Sequence, residues 1–188
     1  MALRNIVEKG DKVLEKHCRP VTEFNEKLHL LLDDMAETLE KSDGVGLAAP
    51  QVGILRRIVL VLETNVAEDE EEYIIELINP EIIAERGEQE GPEGCLSLPG
   101  VYGWVERPEH VVVRAQDRDG DWFEVEGDGL TARAFCHELD HLEGIMFDDI
   151  ADHIMSDEEL DAFYGKNREE QERRSRPRGR ERIRERKA

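Results

Sequence analysis

Cysteine, long apolar runs and positive charge are all scarce in this 188-residue chain. Three cysteines, an odd number, exclude a disulfide-stapled secreted scaffold. No stretch approaches the ~20 apolar residues that a membrane span needs. The opening residues lack the apolar run of a signal peptide. The expectation is therefore a reducing cytoplasm and no membrane partner, with the cysteines as structural thiols, metal ligands or nucleophiles. Lys and Arg number 25 against 45 Asp and Glu, a net charge of −20. The balance is uneven. Residues 166–188 hold 11 basic and 5 acidic side chains, leaving a net of −26 for residues 1–165. An acidic body favours solubility and disfavours nonspecific nucleic-acid binding, so no DNA partner is expected.

What is present reads as alternating elements without a repeat. Val13 to Pro20 reads as a helical turn and then a loop. Leu28, Leu31, Leu32, Met35 and Leu39 fall at helical spacing behind Asn25, a good N-cap. The glycines and proline of Asp43–Gly53 exclude a regular helix. Arg57–Leu62 has strand composition, and Thr64–Glu72 is an acidic loop. Tyr73–Ile83 reads as a strand that Pro80 must break or place at an edge. Val101–Ala115 contains Val-Val-Val-Arg-Ala, a good strand, Asp117–Asp121 reads as a turn, and Trp122–Glu126 as a returning strand. Leu130–Leu142 is helical and stops at Gly144. Ser156–Tyr164 opens with a capping box, Ser156 and Glu159. Residues 166–188 read as a frayed or disordered Arg-rich tail. The fold class is α+β: antiparallel or mixed β-sheets around a central helix, with helices near both ends.

That central helix carries His137-Glu138-Leu139-Asp140-His141. Residues four apart share a helical face, so both imidazoles can reach one metal ion, and Glu138 can address a water on it. A chance pair of histidines is the bland alternative. Downstream candidates for a third ligand are Glu143, Asp148, Asp149, Asp152 and His153, but none continues a metzincin pattern. Upstream, Glu93-Gly94-Cys95-Leu96-Ser97 offers a thiolate between glycine-flanked turns. A Cys/His/His set leaves a fourth position open, which is the catalytic arrangement. Cys136 points about 100° away from His137 and reads as packing, as does Cys18. Tyr102 and Trp104 either line a cleft or pack as a strand-edge pair. The Gly44–Gln51 stretch has no phosphate-loop Lys or Ser/Thr.

Three motifs occur in order: Gly44-Val45-Gly46-Leu47-Ala48-Ala49-Pro50-Gln51, Glu93-Gly94-Cys95-Leu96-Ser97 and His137-Glu138-Leu139-Asp140-His141. Over roughly residues 3–164 the chain resembles the bacterial peptide deformylases. It departs from many of them in having Cys136, not Gln, before the first histidine, and in its Arg-rich tail. The resemblance implies a catalytic domain at 1–165 that removes formyl from N-terminal formyl-methionine and releases formate. It implies that Cys95, His137 and His141 bind one divalent ion, ferrous iron in cells, with zinc, nickel or cobalt in purified protein. It assigns Glu138 as general base and acid, and the Gln51 amide and Leu96 N–H as donors to the oxyanion. Gly44, Val45, Gly46 and Gly94 would flank the extended peptide. Val45, Leu130 and Ala134 are candidates for a methionine pocket, the last two facing inward by spacing. The partners implied are formyl-Met nascent peptides and, through the tail at 166–188, the ribosome. Another H-E-x-x-H metal amidase or metallopeptidase is the alternative, and a purely RNA- or ribosome-binding protein a third reading.

Overall fold

A computed structural model describes residues 2–64, 66 and 71–175, the last nine by backbone alone. These residues fall into two compact units, divided after Ile154. In the first, 3₁₀ turns lie at Lys12–Glu15, before α1 (Glu26–Glu40), and at Ala49–Val52. The strands are β1 (Gly46–Ala48), β2 (Ile58–Glu63), β3 (Tyr73–Arg86), β4 (Gln89–Cys95), β5 (Leu98–Arg107), β6 (His110–Gln116), β7 (Trp122–Asp128) and β8 (His153–Ile154). Between β7 and β8 lie α2 (Gly129–Leu142) and the short α3 (Phe147–Ile150). The second unit holds α4 (Asp157–Ser175). The fold is α+β, as expected. Among the described residues no helix is long and apolar enough to cross a membrane.

The five-stranded antiparallel sheet has the order β1-β2-β3-β6-β7, and β4-β5-β8 form a second, three-stranded one. The large sheet separates two apolar clusters, and the period-two pattern of β2 shows why. Ile58 and Leu60 join Leu28, Leu32, Met35 and Leu39 of α1. Val59 and Val61 join Ala132, Phe135 and Leu142 of α2. The sheet is thus filled from both faces. The side chain of Asn25 caps α1 by accepting from Lys27 N–H and Leu28 N–H. The α2 helix ends at Glu143, with Gly144 at φ 75° beyond it.

Two expectations need correction. Pro80 neither ends β3 nor puts it at an edge, since β3 is the central strand between β2 and β6. The register slips between Ile78 and Glu81, and Asn79 sits at φ 51°. This bulge takes up the proline that cannot donate to the ladder. Asn79 is held by its side chain, which accepts from Val21 N–H at 2.8 Å and donates to Val21 O and Gln116 Oε1. The flanks of Cys95 are strand, not turn, on the N-terminal side, because β4 runs into it. Val101–Ala115 spans the end of β5 and most of β6, which belong to different sheets.

Candidate metal centre and active site

Cys95 ends β4, and Leu96-Ser97 form a tight turn into β5, with Cys95 paired to Leu98. The two histidines lie one turn apart on α2. The Cys95 Sγ lies 3.3 Å from His141 Nε2. One donor atom from each of Cys95, His137 and His141 falls within 4.8 Å of the others, and this is the grouping of metal-ligating type found among the described residues. A thiolate with two imidazoles fits a first-row divalent ion such as zinc or iron. His141 Nδ1 is buried without a partner, as is Glu138 Oε2. The downstream acids are engaged elsewhere: Glu143 with Arg57 and His17, Asp148 with Lys9.

Burial governs the protonation of this group. It pushes the His141 pKa down to about 3, with the charge of His137 acting in the same sense. His141 is thus neutral and ready to donate a lone pair. Burial would lower His137 as well, but its hydrogen bonds to Cys95 and Glu93 outweigh that and hold it up at about 10. Burial raises Glu138 to about 7.

Gln51 is 1% exposed and closely held. Its Oε1 accepts from Ala48 N–H at 2.8 Å, which aims the amide nitrogen at Cys95 Sγ (3.4 Å) and Ser97 Oγ (3.3 Å). The amide oxygen is tied back, so an N–H points to the Cys95 thiol. Two glycines make the approach possible. A Cβ on Gly46 would stand 2.4 Å from Glu138 Oε1, and one on Gly44 2.8 Å from Leu96 Cδ1. A Cβ on Gly94 would meet the Tyr102 ring at 2.7 Å. Tyr102 lies within the three-stranded sheet on β5, the strand paired to β4 and β8, and not at its edge. β1 is an edge of the large sheet and β4 an edge of the small one, so main-chain groups on both are open to pairing.

Ala134 is buried and Val45 packs on the core, but Leu130 does not face inward as its spacing suggested. It is 52% exposed at the start of α2. Cys136 and Cys18 pack in the core, and burial raises each thiol to about 11.

Sequence reasoning gave no role to the residues that support the ligands. Glu93 is 4% exposed and accepts from Arg107 Nε (2.8 Å), Arg107 Nη2 (3.1 Å) and Arg133 Nη1 (3.0 Å). It also lies 3.0 Å from His137 Nδ1, which turns Nε2 toward Cys95. Burial pushes the Glu93 carboxyl up, but His137 and Arg107 pull it down to about 2. Arg107 also donates to Asp140 at 2.7 Å. Phe147 stacks on His137 at 6.1 Å between ring centroids. The available signal was Arg133, a lone cation inside the buried stretch of α2.

The family model described as polypeptide deformylase matches residues 3–157. A peptide deformylase of Caldanaerobacter subterraneus subsp. tengcongensis is 54% identical over 161 residues, covering 86% of this chain and 97% of that protein. The crystal structure of peptide deformylase from Thermotoga maritima is similar with a TM-score of 0.75 and 38% identity, covering 81% of this chain and all of that one. A class I type b enzyme from Acinetobacter baumannii, solved with Met-Ala-Ser bound, is similar with a TM-score of 0.72 and 35% identity, covering 79% of this chain and 98% of that one.

Proposed function

Since the chain belongs to the peptide deformylase family, and so is a hydrolase that removes the formyl group from newly made polypeptides, we propose that Cys95, His137 and His141 hold its divalent ion and that Glu138, Gln51 and Leu96 perform the chemistry around it. The observation that carries this reading is the meeting of three ligand atoms, the Glu138 carboxylate and the Gln51 amide at one place. When bound, the ion supplies a nucleophile of hydroxide strength near neutral pH and a Lewis acid for the formyl oxygen. Glu138 takes the proton from the attacking water and hands it to the departing amine. The Gln51 amide, with its oxygen tied to Ala48 N–H, and the Leu96 N–H receive the charge that develops on the formyl oxygen.

The substrate main chain pairs at Gly44 and Val45 and with Gly46 at the start of β1, with Gly94 on the opposing edge. Main-chain pairing gives affinity without reading most side chains, which suits an enzyme that meets many N-termini. The Met-Ala-Ser peptide bound by the Acinetobacter baumannii enzyme supports a ligand of this kind. Val45, Ala134 and the exposed Leu130 flank the methionine side chain. The resident ion is ferrous iron, the compartment is the cytoplasm, and the catalytic unit is 1–165. The basic tail at 166–188 docks on the ribosome.

Formate release from a formyl-Met tripeptide, measured without oxygen beside Glu138→Gln, tests the assignment. The parent is expected to turn over, and the variant to lose at least ~10²-fold in kcat while retaining its ion. Parental kcat in Glu138→Gln would refute it.

A further inference from the structure

The first nine residues take no part in the chemistry so far described, yet they reach the site. Val7 N–H donates to Gln51 O at 2.7 Å, and Lys9 N–H donates to Ser97 O at 2.7 Å. Gln51 supplies one oxyanion donor, and Ser97 follows Leu96, which supplies the other. Two N–H groups separated by one residue stand no more than about 7 Å apart along a chain. The Val7–Lys9 backbone therefore limits how far the 3₁₀ turn of Gln51 and the turn of Leu96 can separate.

Both ends of this segment are tied. Upstream, Ala2 N–H donates to Asp34 Oδ1, Arg4 N–H to Thr38 Oγ1 at 2.9 Å, and the Arg4 guanidinium pairs with Asp34 at 2.7 Å, all on α1. Downstream, the Lys9 ammonium pairs with Asp148 and lies 4.0 Å from Asp149, on α3. The neighbouring Phe147 stacks on His137. A loose terminal arm needs none of these ties.

We propose that the Val7 and Lys9 N–H groups form a positioning strap, which sets the spacing between the two oxyanion donors and, through Lys9, ties that spacing to α3. This rests on the assignment of Gln51 and Leu96 as those donors. The strap touches no substrate and acts through the groups it holds. A donor displaced by 1 Å can cost ~10² in rate with little change in ground-state affinity, which gives the strap leverage.

Proline removes a single N–H. Val7→Pro and Lys9→Pro each delete one strap bond, whereas Glu8→Pro leaves both donors in place. On ion-loaded protein, kcat and KM for a formyl-Met tripeptide are read with ion content and thermal midpoint. The expected result is a fall in kcat of about 10- to 100-fold for Val7→Pro and Lys9→Pro, with KM held within about twofold. Glu8→Pro should stay near the parent. In a Gln51→Ala background, Val7→Pro should cost little more, because the donor it positions is gone. Full additivity of those two changes would overturn the strap. So would parental kcat in both strap variants beside a loss in Gln51→Ala. Parental kcat in Gln51→Ala would instead overturn the donor assignment and the strap with it. Should a proline variant fail to fold, Lys9→Ala keeps the N–H and loses the tie to Asp148. Its kcat should fall with KM held and return in Lys9→Arg, and unchanged kcat in Lys9→Ala would overturn the tie to α3.

Discussion

Gly46 and Glu138 divide one small space between them. A methyl group on Gly46 would come within 2.4 Å of the carboxylate oxygen, so Gly46→Ala must displace Glu138. Its φ is not among the positive ones, so alanine introduces no backbone strain there. Gly46→Ala is therefore expected to lower kcat by about 10- to 100-fold while the thermal midpoint moves little, read from steady-state rates and calorimetry. The buried thiols follow from the same crowding. Burial raises Cys18 and Cys136 to about 11, so both stay protonated at pH 8, where an exposed thiol is partly ionised. The thiolate fraction, and with it the alkylation rate, should rise as pH climbs toward 11. Iodoacetamide at pH 8 is expected to label these two slowly in the folded protein and rapidly in denaturant, as mass spectrometry would show. The Cys/His/His set was legible because its chemistry needs those side chains. Glu93 lies within the Glu93–Ser97 motif, but nothing there tells of its work. Its partners Arg107 and Arg133 are distant in sequence, and a buried carboxylate among arginines is visible only once the chain is folded.

Elements were legible where side-chain periodicity reports burial. The α1 helix matches its spacing, with Asn25 at its start. Asn25→Ala, which removes the bonds to Lys27 and Leu28, should cost about 1 kcal/mol in urea unfolding. The Ser156–Glu159 capping box likewise opens α4, with Glu159 N–H donating to Ser156 Oγ at 3.3 Å. β4 was missed for a physical reason. Gln89-Glu90-Gly91-Pro92-Glu93-Gly94 is poor in β-branched and aromatic residues, and its strand exists because β5 pairs with it along its length. The break between β5 and β6 falls at Arg107-Pro108-Glu109, a charged, proline-bearing stretch between two apolar runs. Tertiary pairing, not local propensity, sends the two halves to different sheets.

At the scale of the whole chain, charge is the dominant property. A net of −20 sets many carboxylates against one another, and self-repulsion weakens the compact state. Added salt shortens the Debye length to ~8 Å at 0.15 M and should raise the thermal midpoint. Melting at 10 mM and 200 mM sodium chloride checks this, and a lower midpoint at the higher salt would contradict it. The tail seen in the sequence lies partly outside the described residues: α4 reaches Ser175, and the last thirteen positions are not among them.

The proposed ligands have one further consequence. The thiol comes from the end of a hairpin and both imidazoles from a helix that follows it, with Cys95 and His141 46 residues apart in the chain. A folding intermediate in which α2 has formed but the β4–β5 hairpin has not docked offers only two nitrogens, a weak and unselective grip. Tight capture of the ion must wait for that docking, and once made it clamps the small sheet to α2. With the proposed ligands, ion uptake is expected to be a late event in maturation, and a clock by which completion of the native topology can be timed.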